Sequence, residues 1–252
     1  MCGIGGIINI NNSKIDPEIA NNIKTSLEHR GPDNSSIKHI SETVSFVHTR
    51  LAIIDIDDRS NQPFHSDDNR YWIVFNGEIY NYKEIREELE NKGYSFHTSG
   101  DTEVLLKGFI CYKEKILDKL RGQFAFSIYD SIEKTTFLAR DRIGIKPLYF
   151  SKYKEWIVFG SEMKTIESSK LIPFIPDTES YMTYMRHLCI PGSSTGNKNI
   201  SKVRPGEYVT FSKSGEIKTY KYWDPFSFEI DYEMSESDAS DELERLLIES
   251  VE

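Results

Sequence analysis

No stretch of this 252-residue chain stays apolar for more than a few positions. Leu51-Ala52-Ile53-Ile54 is typical of the longest runs, far short of the roughly 20 residues that cross a bilayer as a helix. The N-terminus also lacks a basic segment followed by a long apolar one, so a cleaved signal peptide is not expected. Cysteine is scarce. The three present, Cys2, Cys111 and Cys189, are odd in number, widely spaced and without a CxxC pair, which argues against a disulfide framework and against a zinc site; no metal is expected. Nor is positive charge in excess. The formal net charge of −9 argues against a general nucleic-acid grip. It is also localised: eleven acids and one base fall between Asp224 and Glu252, leaving 30 bases and 29 acids before them. With 38% hydrophobic residues and a mean hydropathy of −0.49, the expectation is a soluble, cytoplasmic globular protein without membrane or nucleic-acid partners.

What is present reads as an α+β protein. Strand-like segments rich in β-branched and aromatic residues recur at Ile4 to Ile8, Thr43 to His48, Tyr71 to Phe75, Phe124 to Tyr129, Thr136 to Arg140, Pro147 to Phe150 and Trp156 to Phe159. Most lie too close together for a parallel crossover, so antiparallel pairing follows. Helical periodicity marks Pro17 to Glu28 behind an Asp16 cap, Tyr82 to Lys92 ending at Gly93, and Asp101 to about Phe109. Beyond Pro173 and Pro176 come a further helix, Glu179 to His187, and a hairpin, Glu207 to Phe211 with Glu216 to Tyr222. Leu243, Leu246, Leu247 and Val251 then form one apolar stripe on an acidic helix. The expected organisation is a main domain over 2–168, an extension with helix and hairpin over 169–230, and over 231–252 a linker with the first helix of a further domain.

Chemistry concentrates at Cys2. Removal of Met1 would leave one residue carrying both a thiol and a free α-amine, whose reference pKa values are roughly 8.5 and 7.7 to 8.0. Such an amine can take the thiol proton and activate the sulfur toward a carbonyl. Polar motifs punctuate the strand ends: His29-Arg30-Gly31-Pro32-Asp33, His48-Thr49-Arg50-Leu51-Ala52-Ile53-Ile54-Asp55, Asn76-Gly77-Glu78-Ile79-Tyr80-Asn81, Ser99-Gly100-Asp101-Thr102-Glu103 and Ala139-Arg140-Asp141-Arg142-Ile143-Gly144. Asn76 and Gly77 follow a strand, where a side-chain amide and a main-chain N–H can converge on one oxyanion; the same pair also signals a tight hairpin turn. Arg50 offers a planar fork for a carboxylate. Asp101 and Glu78 can accept from an ammonium group, and Asp101 can also cap the helix it opens.

Together with Met1-Cys2-Gly3-Ile4, this ordered set, covering about Met1 to Lys164, resembles the class II glutamine amidotransferases. It is most similar to the glutaminase domain of glutamine-hydrolysing asparagine synthetases. Val203-Arg204-Pro205-Gly206 and Tyr222-Trp223-Asp224-Pro225 extend the likeness. The resemblance implies the four-layer αββα sandwich of N-terminal-nucleophile hydrolases, with L-glutamine as substrate and L-glutamate and ammonia as products. It also implies a pocket completed by main-chain groups around Leu51, Ile53 and Ile54. No cofactor is implied for that reaction. ATP and magnesium belong to a synthetase domain, on this polypeptide or on a partner, whose Ser-Gly-Gly-x-Asp-Ser loop does not occur here. The stretch Cys189 to Ile200 is also compressed relative to the family. A homodimer, a different ammonia acceptor, and a catalytically silent glutamine-sensing or interaction domain remain open alternatives. The Arg140-Asp141-Arg142 and His29-Arg30 clusters are expected mainly to scaffold loops, with Arg30 a lesser candidate for the glutamine entrance.

Overall fold

Alternation of apolar side chains with period two gives a strand two usable faces, and here both are buried. The computed structural model describes residues 1–51, 58–227 and 234–251. In chain order the strands are β1 (Gly3–Asn9), β2 (Asn34–Ser41), β3 (Val44–Arg50), β4 (Phe64–His65), β5 (Tyr71–Ile79), β6 (Gly122–Asp130), β7 (Thr135–Arg140), β8 (Tyr149–Tyr153), β9 (Trp156–Gly160), β10 (Ser201–Lys202), β11 (Glu207–Phe211) and β12 (Ile217–Lys221). The helices are α1 (Pro17–Leu27), α2 (Tyr82–Asn91), α3 (Asp101–Tyr112), α4 (Ile116–Lys119), α5 (Met163–Glu167), α6 (Thr178–His187) and α7 (Glu236–Val251). Two six-stranded antiparallel sheets result, ordered β10-β8-β9-β1-β3-β2 and β12-β11-β7-β6-β5-β4.

Three apolar layers hold them. Ile4, Ile8, Phe46, Trp72, Val74, Ala125 and Phe159 fill the space between the sheets. On the outer face of the first sheet, Ile7, Val47 and Val158 meet Ala20, Ile23 and Leu27 of α1. On the outer face of the second, Ile73, Phe75 and Phe126 meet Leu89 of α2 and Val104, Leu105 and Phe109 of α3. Each fully buried Ile, Leu or Phe contributes about 1.5–3 kcal/mol. The αββα layering is therefore written in strand parity, with even-numbered residues of β1, β3 and β5 facing the inter-sheet space.

Local signals match their elements. The Asp16 carboxylate accepts the Glu18 N–H at 2.9 Å at the start of α1, and Gly93, with φ of 91°, follows the end of α2. Two departures matter. β5 runs through Asn76 and Gly77 to Ile79 rather than ending at Phe75, because it stays paired with β6 in register from Tyr71↔Asp130 to Ile79↔Gly122. Asn76-Gly77 is thus mid-strand, and the hairpin-turn alternative is excluded. In addition, the 207–221 hairpin is built into the second sheet through β11 pairing with β7, and Val209 and Phe211 are buried between the sheets. No described helix is long and apolar enough to cross a membrane. On α7, Leu243, Leu246, Leu247 and Val251 are exposed, and Glu249 meets Arg121 at 2.9 Å.

Candidate active site

One cleft gathers residues from seven separate stretches of sequence. Met1, Cys2, His48, Arg50 and Leu51 line it from the first sheet, and Asn76, Gly77 and Glu78 from β5. Gln62, Asp101, Thr102, Gln123 and Lys146 complete much of the wall around a cavity of about 190 Å³. Parity explains the convergence. Cys2 extends β1 in phase with Ile4, Arg50 and His48 lie on β3 in phase with Phe46, and Asn76 lies on β5 in phase with Trp72 and Val74. All four therefore face the inter-sheet space, at the end where its apolar filling stops.

The thiol is held by the chain just past β3. The Leu51 N–H donates to Cys2 Sγ at 3.4 Å, and the thiol reaches the Leu51 carbonyl at 3.6 Å. Arg30 Nε donates to the Cys2 carbonyl at 3.0 Å, and its Nη1 to Glu162 at 2.8 Å. Burial pushes the Glu162 carboxyl up, but hydrogen bonds from Arg30, His29 and Lys164 outweigh it and hold its pKa at about 2. Arg30 thus anchors the main chain of Cys2. Met1 is 58% exposed at the cleft.

The edge of β5 supplies the second feature. β4 pairs only with Trp72 and Ile73, so among the described residues no strand covers the edge of β5 beyond it. Main-chain groups alternate sides along a strand, and those of Phe75, Gly77 and Ile79 point to this edge. Two of the three N–H groups are taken by side chains: Phe75 N–H by Gln62 Oε1 at 2.6 Å and Ile79 N–H by Asp101 Oδ2 at 3.0 Å. The Gly77 N–H between them faces the cleft. Beside it, Asn76 is 1% exposed and its Nδ2 has no hydrogen-bond partner among the described residues. Buried amide donors are rarely left unpaired. Two donors thus line the same cavity as the thiol. Any side chain at position 77 would collide with β6, since a Cβ there would lie 2.2 Å from the Gln123 carbonyl oxygen.

Opposite charges line the remaining wall. Arg50 is 7% exposed at the end of β3, where its Nη1 donates to Asn61 Oδ1 at 2.6 Å. Asp101 opens α3 and is equally buried. Burial drives its pKa up to about 6, against the N–H groups of Ile79, Asp101 and Thr102, and the nearby Glu78 carboxylate adds to the rise. Such a carboxyl gains most from an incoming cation. Asp101 does not supply the N-cap side chain expected of it, because Gly100 occupies that position. His48 is 1% exposed. Burial lowers its pKa to about 3, the Phe75 carbonyl opposes, and Arg50 lowers it further, so the ring is neutral.

Of the residues singled out in sequence, Cys2, Arg50, Leu51, Asn76, Gly77, Glu78 and Asp101 share this cleft, while Ile53 and Ile54 lie outside the described residues. Asp141 and Arg140 scaffold, as expected: Asp141 accepts the N–H groups of Phe124, Ile145 and Lys146, and Arg140 donates to the Lys146, Val203 and Gly144 carbonyls. Sequence reasoning missed His48, Gln62 and Lys146. His48 was findable as the i−2 neighbour of Arg50 on one strand face; Gln62 and Lys146 enter from loops and leave no periodic signal. Among the described residues no group of three His, Cys, Asp or Glu is arranged to hold a metal ion.

A family model described as a glutamine amidotransferase domain matches residues 1–223. Asparagine synthetase 1 (glutamine-hydrolysing) of Bacillus subtilis (strain 168) is 41% identical over 225 residues, covering 87% of this chain and 35% of that protein. Asparagine synthetase 3 (glutamine-hydrolysing) of the same organism is 35% identical over 228 residues, covering 88% and 36%. The chain thus spans about a third of the length of these relatives. Among solved structures, the glutamine phosphoribosylpyrophosphate amidotransferase of B. subtilis superposes with a TM-score of 0.64 at 22% identity, over 88% of this chain and 49% of that one. That likeness supports the αββα fold.

Proposed function

From a chain that belongs to the family of glutamine amidotransferase domains, we propose a glutaminase that releases ammonia from L-glutamine for amidation of aspartate by a synthetase domain beyond these residues. The observation that carries this reading is one cleft holding the Cys2 thiol, the Asn76 amide whose Nδ2 has no partner among the described residues, the Gly77 N–H, a buried arginine and two carboxylates.

The chemistry follows from their positions. With Met1 removed, the Cys2 α-amine accepts the thiol proton as Sγ attacks the glutamine side-chain carbonyl carbon. The carbonyl oxygen takes up the displaced electron pair, and Asn76 Nδ2 and Gly77 N–H donate to it. Collapse of this intermediate breaks the C–N bond; the amine returns its proton to the departing nitrogen, and ammonia leaves. The thioester is then hydrolysed by water that gives a proton to the same amine; collapse breaks the C–S bond, the amine returns that proton to Sγ, and glutamate leaves. Arg50 pairs with the substrate α-carboxylate, and Asp101 with Glu78 accepts from the α-ammonium, so the amide end is directed toward Sγ. The acceptor assignment rests on the synthetase relatives, whose names specify glutamine hydrolysis with asparagine formation. Activation of aspartate by ATP and magnesium is assigned to the synthetase domain, since no Ser-Gly-Gly-x-Asp-Ser loop occurs in this sequence.

The test is to verify a free Cys2 by intact mass. The chain is then incubated with glutamine, aspartate, ATP and magnesium while glutamate, ammonia, AMP and asparagine are measured. Glutamate and ammonia in equal amounts, independent of ATP and lost in Cys2→Ala but retained in Cys111→Ala and Cys189→Ala, are expected. Absence of glutamate with a free Cys2 favours a silent glutamine-binding module. Formation of AMP or asparagine contradicts the division of labour.

A further inference from the structure

We propose that Gln62 and His48 are positioning residues that fix the oxyanion hole by clamping the two peptide planes of Phe75, the residue immediately before Asn76. This inference rests on the glutaminase reading.

At this edge of β5, the main-chain groups of Phe75 have no neighbouring strand among the described residues. Extending the β4 register, in which Phe64 faces Ile73, puts position 62 opposite position 75, where the chain contributes a side chain instead of a ladder. Gln62 Oε1 accepts the Phe75 N–H at 2.6 Å. That contact fixes which end of the amide is oxygen, and Nε2 accordingly donates to Thr102 Oγ1 at 3.3 Å. The Gln62 carbonyl in turn accepts from Ser36 Oγ. From the first sheet, His48 Nε2 lies 3.3 Å from the Phe75 carbonyl oxygen. A carbonyl only accepts, so the ring carries its proton on Nε2, and burial keeps it neutral.

These bonds act on the reacting geometry indirectly. The Phe75 carbonyl belongs to the same rigid peptide plane as the Asn76 N–H, so holding that oxygen sets the direction in which the Asn76 side chain and the Gly77 N–H leave the strand. Gln62 also ties β5 to Thr102, next to Asp101 on α3. The donors for the oxyanion and the acceptor for the α-ammonium are thereby held at a fixed spacing, which is what a substrate spanning both requires.

The experiment compares glutaminase kinetics of Gln62→Leu, Gln62→Met and Gln62→Glu, and of His48→Leu and His48→Gln, each with a verified free Cys2 and a melting curve. Loss of the clamp misplaces donors that act on transition-state charge, so kcat in the Leu and Met variants should fall on the order of 10- to 100-fold while KM stays within about threefold. Gln62→Glu keeps an acceptor for Phe75 and His48→Gln keeps a donor, so both should recover most of kcat. An unchanged kcat in Gln62→Met and His48→Leu overturns the proposal, as does a rise in KM without loss of kcat, or a Gln62→Glu no better than Gln62→Met. If Gln62→Leu does not fold, Gln62→Met and the His48 pair carry the comparison. A wild-type chain with free Cys2 that releases no glutamate defeats the glutaminase reading itself, and this inference with it.

Discussion

The Arg30 guanidinium donates to the carbonyl oxygen of Cys2 at 3.0 Å from 28 positions away in sequence. That single bond ties the short turn after α1 (28–30) to Cys2, and Glu162 holds the guanidinium from the other side. With Met1 removed, as the proposed mechanism requires, Cys2 would have no preceding residue to fix it, and this bond would anchor it instead. Arg30→Leu is expected to lower kcat on the order of tenfold or more through misplacement. It should also slow alkylation of Cys2 by a glutamine-mimicking electrophile. Glu162→Gln, which loosens Arg30 without removing it, should show a smaller loss in both assays. Equal alkylation rates in wild type and Arg30→Leu would show that the anchor is dispensable.

Recognition of the amino-acid end should separate from chemistry. Arg50→Lys replaces a planar fork by a point charge and is expected to weaken glutamine binding by about 1.5–3 kcal/mol, seen as a rise in KM with little change in kcat. Unchanged KM in a folded Arg50→Lys chain would place the carboxylate elsewhere.

Asp101 predicts a pH dependence with a definite sign. Its folded pKa of about 6 lies above the ordinary 3.8, so between those values the folded state binds the proton more tightly than the unfolded chain. Stability contributed by this group is full below about pH 4 and is lost as pH rises through 6, by no more than about 3 kcal/mol. Asp101→Asn should therefore melt no lower than wild type at pH 7.5 while binding glutamine more weakly. In Cys2→Ala, where the thiol no longer contributes, glutamine affinity should fall as pH drops through about 6, because a protonated Asp101 cannot pair with an ammonium. Calorimetric titrations at pH 5, 6 and 7.5 test this, and affinity flat across that range would contradict the role.

The oxyanion donors should show the opposite kinetic pattern to Arg50. Asn76→Ala removes a donor that matters only when negative charge develops, so a drop in kcat on the order of a hundredfold with nearly unchanged KM is expected. Gly77→Ala should be worse for the fold, since its Cβ would meet the Gln123 carbonyl oxygen and the Phe124 Cα of β6 at 2.2 and 2.7 Å. A lowered melting temperature for Gly77→Ala but not for Asn76→Ala would separate packing from catalysis.

Elements legible in the sequence were those whose signal is local. α1 could be found from Asp16, Pro17 and the Ile19, Ile23, Leu27 stripe, and β1, β3 and β9 from their apolar runs. β2 was missed because Asn34–Ser41 is a largely polar edge strand, whose pairing with β3 is recorded in no apolar alternation of its own. β4, only two residues long, is below any periodic signal. The strand expected to stop at Phe75, ahead of the polar Asn76-Gly77 pair, runs on to Ile79 because pairing with β6 is continuous.

The site divides along the same line. That Cys2 could join a thiol to an α-amine, and that Arg50, Asp101 and Glu78 carry charges suited to an amino acid, are properties of the residues themselves and followed from the sequence. Which N–H on β5 faces the cleft was decided only by tertiary structure. It depends on where β4 stops, on Gln62 and Asp101 reaching the edge on either side of Gly77, and on His48 crossing from the other sheet. Such contacts join positions far apart in the chain, and a strand's open edge exists only once its neighbours have been placed.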